Sequence, residues 1–236
     1  MQNILDINPQ IQPQIIEVGL EKTPIIIIDD FALDTSYIKA DAAREGDFIA
    51  DANSYYPGIR STLPKPYVIT TLQTIYRQLY QIYQVPNHLQ LKPQDIYYSL
   101  ITKAETELSH LQSLPHFDTS RPYYFAVLHY LAPAPHGNTG LFRHKSSQFE
   151  RITEQRVEPY LAACQQDIID YGEHNKKYCI ASDERYELYH QIEYKENRLV
   201  IYPGNLLHST LVDSEHDINA AIEHGRLTAN IFIEFK

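Results

Sequence analysis

Apolar residues recur at different spacings along the chain, and the spacing predicts which elements form. Residues 24–29 are a run of mostly β-branched side chains, which predicts a buried strand. Residues 34–44 predict a helix, and apolar residues three or four positions apart predict a second helix over residues 67–83. Residues 53–67, "NSYYPGIRSTLPKPY", are rich in proline and glycine and predict a loop. We therefore expect residues 1–93 to be mainly helical support.

After residue 94 the spacing changes to the alternation that is typical of strands. Residues 95–102, 123–131, 198–202 and 226–235 each predict a strand. Residues 146–196 are mostly polar and predict an insertion, with a helix over residues 158–171. Helices followed by strands indicate an α+β fold. We expect one domain over residues 1–236, in which residues 94–145 and 197–236 form an antiparallel sandwich braced by N-terminal helices.

Composition excludes several classes of partner. The net charge of −10 argues against duplex DNA or an anionic membrane as the main partner, because both require a positive face. The only cysteines, Cys164 and Cys179, form no CxxC pair, so we expect no disulfide framework and a reducing cytoplasm. The N-terminus lacks the basic start and apolar run of a signal peptide. The longest apolar run is far too short to span a bilayer.

The stretch "LPHFDTS" contains a candidate pair of metal ligands, His116 and Asp118. In an extended segment, residues two apart point to the same side, so the pair can offer a nitrogen and an oxygen to one ion. A second histidine would complete the two-histidine, one-carboxylate face of non-haem Fe(II) oxygenases, which leaves three positions open. The alternative is an ordinary turn in which Asp118 caps the loop.

The rest of the chain supplies the groups that such a site needs. In "NRLVIYPGNLLHSTLV" a strand runs into a Pro-Gly-Asn turn, and His208 begins the next extended segment. In "GRLTANIFIEF", Arg226, Thr228 and Asn230 share one face of the last strand. An arginine there can hold a carboxylate through two hydrogen bonds, and a nearby hydroxyl can add a third. Tyr130 lies late in the strand "YYFAVLHYL".

This succession resembles a known family. An HxD pair, a strand ending in Tyr-Leu, a Gly-Asn-Thr-Gly turn, a strand followed by Pro-Gly and His, and a final Arg-x-Thr resemble the Fe(II)- and 2-oxoglutarate-dependent dioxygenases of the prolyl 4-hydroxylase-like branch. That resemblance covers about residues 115–235. From residue 55 onward the chain also resembles a bacterial family known only as a domain of unknown function, through "YYPGIR", "LPHFD" and "FRHKSSQFERI".

The resemblance implies a double-stranded β-helix, or jelly roll, with a bound metal. It implies that Fe(II) is held by His116, Asp118 and His208. It also implies that 2-oxoglutarate chelates the iron, that Arg226 holds its far carboxylate, and that Thr228 and Tyr130 assist. O2 would bind at the remaining position, and conversion of 2-oxoglutarate to succinate would drive oxidation of an unactivated C–H bond.

Two features depart from the family pattern, and a third narrows the chemistry. The gap from His208 to Arg226 is longer than usual, which indicates an inserted loop over residues 213–225. Asn138 stands where relatives usually carry glycine. Related halogenases lack the carboxylate ligand, so the presence of Asp118 favours hydroxylation, or another oxidation such as desaturation, over halogenation.

Other residues are candidates for substrate contacts. Tyr55, Tyr56 and Arg60 flank the Pro-Gly turn and are expected to fold over the mouth of the site, or to form a plain structural turn. Arg143 and His144 are candidates for a second contact at the mouth, or for an ordinary solvated strand end. His129 alternates with Tyr130 along its strand and is expected to face away from the barrel interior. The insertion is interpreted as a lid, a dimerisation arm or a solvated helical face.

Three functions are compatible with these residues. The first is an oxygenase acting on a small molecule, an amino acid or a peptide side chain. The second is a non-catalytic, metal-binding cupin-like module that serves as a sensor or interaction domain. The third is a metal-dependent isomerase or hydrolase on the same barrel. Arg226 with Thr228 favours the first, because a bare metal site needs no clamp for a carboxylate. The sequence indicates neither the substrate nor the oligomeric state, and such a ligand set also accepts Mn, Co, Ni or Zn.

Overall fold

The computed structural model describes residues 4–50, 55–133 and 135–236, and this part contains eleven strands and three α-helices. The helices are α1 (Ser36–Glu45), α2 (Lys65–Ile82) and α3 (Val157–Tyr171). The strands are β1 (Gln14–Val18), β2 (Thr23–Ile28), β3 (Ile49–Ala50), β4 (Gly58–Thr62), β5 (Leu91–Ile101), β6 (Tyr124–Tyr130), β7 (Thr139–His144), β8 (Tyr186–Ile192), β9 (Leu199–Pro203), β10 (His208–Thr210) and β11 (Thr228–Phe235).

The strands form two antiparallel sheets. The large sheet has the order β1-β2-β9-β6-β11-β5-β4-β3, and the small sheet has the order β10-β7-β8. At the centre of the large sheet, β11 pairs with both β5 and β6, so that Thr228 lies between Ser99 and Tyr130. The molecule is therefore mostly antiparallel sheet with few helices, as the sequence indicates.

Helices α1 and α2 cover one face of the large sheet. Helix α2 begins two residues earlier than predicted, with a proline in its first turn where no backbone donor is needed. It buries one stripe of side chains against the sheet, including Tyr67, Leu72, Ile75 and Leu79. This layer holds the largest apolar core of the described residues.

The opposite face of the large sheet packs against the small sheet. Val200 and Tyr202 of β9 and Tyr130 of β6 meet Leu141 of β7 in this second core. Residue Phe142, the next one along β7, belongs instead to a third core with Tyr160 of α3. Because neighbouring side chains of a strand point to opposite faces, α3 covers the side of the small sheet that faces away from the large one.

The structure differs from the prediction in three segments. The predicted loop contains strand β4, which pairs with β5, and its first residues, Asn53 and Ser54, lie outside the described residues. A Cβ on Gly58 would lie 1.9 Å from the Leu100 carbonyl oxygen, so this glycine permits the close approach of two strands. Residues 1–93 contribute four whole strands besides the two helices, and the predicted insertion contributes β8 to the small sheet.

These strands are missed for a physical reason. β1, β3 and β8 are edge strands whose side chains are largely solvated, so they lack the apolar alternation that marks a half-buried strand. Cys164 and Cys179 are free thiols. Within the described ranges, no helix combines the length and the apolar character needed to cross a membrane.

Candidate metal centre and its cavity

Backbone pairing brings His116 and His208 together. The His116 N–H donates to the His208 carbonyl at 2.9 Å, and the His208 N–H donates back at 2.8 Å. Their rings lie side by side, with centroids 4.4 Å apart. The Asp118 N–H donates to the Gly204 carbonyl at 2.7 Å, which ties the carboxylate to the turn after β9. The HxD pair and the distant histidine are thus held by main-chain hydrogen bonds.

The side chains of these residues fit a divalent metal ion. One ligand atom from each of His116, Asp118 and His208 lies within 4.8 Å of the others, and no other such group of three occurs in the described part of the chain. Nδ1 of His208 donates to the Leu206 carbonyl at 2.8 Å, which leaves Nε2 as the unprotonated ligand atom of the neutral ring. Oδ2 of Asp118 is buried without a hydrogen-bond partner. A metal ligand is one of the few roles that satisfies such an oxygen.

Electrostatics favour a neutral His116. His116 is exposed at the cavity, and the protein around its ring lowers its pKa to about 3 by desolvation, with His208 and Arg60 acting in the same direction. The lone pair needed for a metal is therefore available at neutral pH. Burial also raises the pKa of Asp118, against the opposing effect of His208 and Arg60, so a carboxylate there gains from a nearby cation.

Arg226 is a buried cation in the same cavity. Its side chain is 3% exposed, and Nε donates to the Gly137 carbonyl at 2.9 Å. The guanidinium carbon lies 5.4 Å from the centre of the Tyr130 ring and 5.2 Å from that of Tyr194. Nη2 is buried without a partner among the described residues. A buried guanidinium with an unused donor is the group that binds a carboxylate.

Thr228 and Tyr130 lie beside this arginine but differ in role. Thr228 lines the cavity, and its hydroxyl accepts a hydrogen bond from Asn230 at 3.0 Å. The Tyr130 hydroxyl is 2.7 Å from that of Thr139, and its ring does not line the cavity. Tyr130 therefore contacts Arg226 without belonging to the lining of the cavity.

The cavity has a volume of about 970 Å³ and contains all three candidate ligands, Arg226 and Thr228 in its lining. This volume lies at the upper end of the range for small-molecule sites. The predicted contacts Tyr55, Tyr56 and Arg60 also line it. The Arg60 guanidinium lies over the rings of Tyr56 and Tyr97, at 4.3 and 5.0 Å from their centres.

The structure does not bring Arg143 and His144 to the cavity. Arg143 binds Glu150 at 2.9 Å and Glu187 at 2.6 Å, beside the turn between β1 and β2. His144 is fully buried under α3, where Nε2 is 2.8 Å from an oxygen of Asp167. Because side chains alternate along β7, these two point to opposite faces of the small sheet. Closeness in sequence to the glycine-containing turn therefore does not place them at the mouth of the cavity.

The remaining histidine candidates have structural partners. His129 is fully buried on the helix side of the large sheet, 2.9 Å from the Tyr67 hydroxyl, which agrees with the expected outward orientation. His136 is 2.9 Å from the carboxylate of Asp217. Asp217 is itself fully buried and also accepts from the Gly137 N–H at 3.1 Å. The predicted inserted loop is therefore attached to the turn that holds Arg226.

Comparison with known proteins shows which family the chain belongs to. A family model matches residues 9–233 of the 236-residue chain. The chain belongs to DUF6445, a family of unknown function. Among curated proteins, none matches the DUF6445 sequence.

Solved structures with a similar backbone include HygX from Streptomyces hygroscopicus. HygX with nickel, 2-oxoglutarate and hygromycin B bound has a TM-score of 0.48 and 12% identity, over 91% of the DUF6445 chain and 83% of HygX. HygX with nickel and 2-oxoglutarate bound has a TM-score of 0.47 and 14% identity, over 91% and 84%. Apo HygX has a TM-score of 0.44 and 13% identity, over 91% and 83%. At TM-scores below 0.5 the likeness assigns no function to the DUF6445 chain.

Sequence reasoning missed two parts of the site in this DUF6445 chain. Tyr202 lines the cavity and its ring packs 4.9 Å from that of His208. Tyr202 lies two residues before Gly204 and on the face of β9 opposite Ile201. This position could have identified it from the sequence as a residue that lines the site. Helix α3 also forms part of the wall, through Tyr160, Leu161, Cys164, Asp167 and Ile168. The helical spacing of these residues predicts a buried stripe, although the polar sequence around them favours a solvated face.

Proposed function

We propose that this chain is a non-haem Fe(II)- and 2-oxoglutarate-dependent oxygenase of the prolyl 4-hydroxylase-like type. One observation carries the proposal: a buried carboxylate oxygen of Asp118 and a buried guanidinium nitrogen of Arg226, both without partners, belong to side chains that line one cavity. An ion at the first and a dicarboxylate reaching the second would satisfy both.

The proposed core is a double-stranded β-helix. Two features support it. The central strands of the large sheet, in the order β9-β6-β11-β5, face the small sheet β10-β7-β8 across an apolar core. The His116 bridge adds a fourth segment to the small sheet beside β10. All these neighbours are antiparallel, as a jelly roll requires.

In this proposal each residue has one task. His116, Asp118 and His208 hold Fe(II), and Arg226 binds the far carboxylate of 2-oxoglutarate with help from the Thr228 hydroxyl. Tyr130 positions Arg226 through its ring. When bound, the metal, 2-oxoglutarate and O2 supply the oxidising chemistry for a C–H bond. The protein holds the three ligands in place and excludes water from one side through the rings of Tyr202 and Phe232, which line the cavity.

The substrate is proposed to be a small molecule, an amino acid or a peptide side chain. Tyr55, Tyr56 and Arg60 are proposed as its contacts, because they lie in the lining of the cavity that contains the ligands. Asp118 occupies the ligand position that halide needs in related halogenases, so hydroxylation or desaturation is the proposed outcome.

The two alternative functions, a non-catalytic metal module and a metal-dependent isomerase or hydrolase, account for fewer of the residues in the cavity. Either accounts for the histidines and Asp118. Neither has a use for a buried guanidinium with an unpartnered nitrogen on a side chain that lines the same cavity. Removing an arginine of this kind from a carboxylate pair costs roughly 2 kcal/mol or more, so a test can be decisive.

The test is a spectrum of the anaerobic protein with Fe(II) and 2-oxoglutarate, in which chelation gives a weak visible charge-transfer band. We expect the band in the wild-type protein and its loss in His208→Ala. In Arg226→Ala the band should need about 30-fold more 2-oxoglutarate, because the co-substrate loses a charge-assisted pair worth roughly 2 kcal/mol. Arg121→Ala is the matched control, since Arg121 is 45% exposed on the surface and does not line the cavity.

A folded, metal-binding protein that gives no band would remove the oxygenase proposal and leave the metal module. A normal 2-oxoglutarate requirement in Arg226→Ala would remove the assignment of the clamp.

A further inference from the structure

The cavity has a closed end and an open mouth, and the two differ in chemistry. Arg226 and His208 are 3% and 7% exposed, whereas four large apolar side chains that line the same cavity are 44–67% exposed. These four are Tyr55, Leu111, Leu161 and Ile168. They come from three separate segments: the chain before β4, the short helix His110–Ser113 and α3. Exposed apolar groups that continue into a cavity mark a surface that a ligand covers.

Helix α3 provides one wall of this mouth without a free charge. Asp167 is 2% exposed, and its oxygens contact His144 at 2.8 Å and the hydroxyl of Ser146. The Tyr160 hydroxyl is 3.0 Å from that of Tyr186. Burial raises the pKa of Cys164, so its thiol stays neutral. Leu161 and Ile168 therefore dominate what α3 presents to a ligand.

Further apolar side chains line the cavity beside the polar side chains of His110 and Gln112. These are Leu114, Phe117 and Val212, and the first two pack against the core that contains Tyr160 of α3. A polyhydroxylated sugar would leave its hydroxyls facing these side chains without partners, which is costly. A hydrocarbon chain or an aromatic ring would instead cover them.

We infer that the substrate of this site is amphipathic and that its apolar portion lies between Leu111 and the Leu161–Ile168 stripe of α3. That the bound molecule is a substrate rests on the proposed function. That part of it is apolar rests on the exposed side chains of Leu161 and Ile168. Leu161 and Ile168 then become specificity-determining residues, and the reacting carbon is the part of the molecule that extends from the stripe towards His116.

The test uses the fluorescence of anilinonaphthalene sulfonate (ANS) bound to the full-length protein. Ile168→Asp is compared with Ile169→Asp, because Ile169 is the next residue of α3, is 76% exposed and does not line the cavity. Both variants place the same charge in the last turn of the helix, so their effect on helix stability is matched. Leu161→Asp is a second variant of the stripe. A panel of decanoate and cellobiose is then added as competitors.

We expect ANS to bind about tenfold more weakly to Ile168→Asp and Leu161→Asp, and within about twofold of wild type to Ile169→Asp. Decanoate should displace ANS and cellobiose should not. Equal weakening by Ile168→Asp and Ile169→Asp, no weakening by either stripe variant, or displacement by cellobiose alone would overturn the inference. None of these readings needs metal or 2-oxoglutarate, so failure of the charge-transfer experiment and failure of this one are separate results.

Discussion

Two buried atoms define the chemistry at the scale of single residues. Oδ2 of Asp118 and Nη2 of Arg226 lack partners among the described residues, and each such group costs roughly 1–3 kcal/mol in the free protein. A protein can tolerate an unpaired buried polar group in its free state when a ligand forms the missing interaction on binding. The sequence predicts both residues, because an HxD spacing and an arginine on a closing strand are local features. It does not predict that the Tyr130 hydroxyl contacts Thr139, since that contact depends on how the two sheets pack.

His129 allows a prediction about pH that is independent of the metal site. It is fully buried, and burial lowers its pKa to about 4, from the value near 6.5 of a free histidine. Between these values the unfolded chain binds a proton that the folded chain does not. Stability is therefore full above pH 6.5 and falls as the pH drops towards 4, by about 3 kcal/mol over the whole window.

The measurement is the free energy of unfolding in urea at pH 7 and pH 4.5, for wild type and His129→Gln. We expect the loss between the two pH values to be smaller in the variant by about 2 kcal/mol. Other buried histidines contribute equally to both proteins and cancel. The same loss in both proteins would show that the pKa of His129 is not lowered in the folded state.

At the scale of elements, the loop between β10 and β11 has an attachment that its sequence does not reveal. Its length is evident, but the single buried carboxylate that attaches it to the Arg226 turn is not. Asp217 accepts from the Gly137 N–H and from the Asp213 N–H at 2.9 Å, while the Gly137 carbonyl accepts from Arg226. Asp217 thus links this loop to the turn whose carbonyl oxygen binds Arg226, and we expect it to position the proposed clamp.

We expect Asp217→Asn to raise the 2-oxoglutarate concentration needed for half of the charge-transfer band by about tenfold. The asparagine side chain brings an NH2 group close to the backbone N–H groups that donate to the carboxylate in the wild type. Two donors then face each other, so we expect Gly137 and Arg226 to shift. Fe(II) affinity should stay within about twofold of wild type, because the ligands lie elsewhere. Asp213→Asn, at a 38%-exposed position of the same loop, is the control. A lower melting temperature with an unchanged co-substrate titration would make Asp217 purely structural.

The elements that the sequence predicts are those with a strong apolar pattern. Strands β6, β9 and β11 are buried on both faces and helix α2 on one, and each is found within two residues of its predicted bounds. Strand β4 is hidden because Pro57 and Gly58 indicate a turn, whereas here the glycine lets β4 approach Leu100. Strand β8 is hidden because most of its side chains are partly exposed at the edge of the small sheet.

For the whole molecule, metal binding and folding should be linked. His116, Asp118 and His208 come from two distant parts of the chain, so an ion bound to all three binds the folded state only. At a metal concentration 100-fold above the dissociation constant, the expected gain is about 2.7 kcal/mol. We expect Mn(II) to raise the melting temperature of the wild type and not of His208→Ala. His190→Ala, on β8 outside the cluster, should respond like the wild type; an equal response of all three proteins would place the metal elsewhere.

The pairing of His116 with His208 has a consequence for how such a protein can change over evolutionary time. One rung of main-chain hydrogen bonds sets the spacing of the two histidines, and the stretch between β7 and β8 contributes no residue to that rung, so this stretch can change in sequence without replacing either histidine. That segment includes α3, the apolar wall of the cavity. The proposed metal centre and the proposed substrate surface would therefore be inherited as separable parts, and descendants of one ancestor could exchange targets while keeping the same metal ligands.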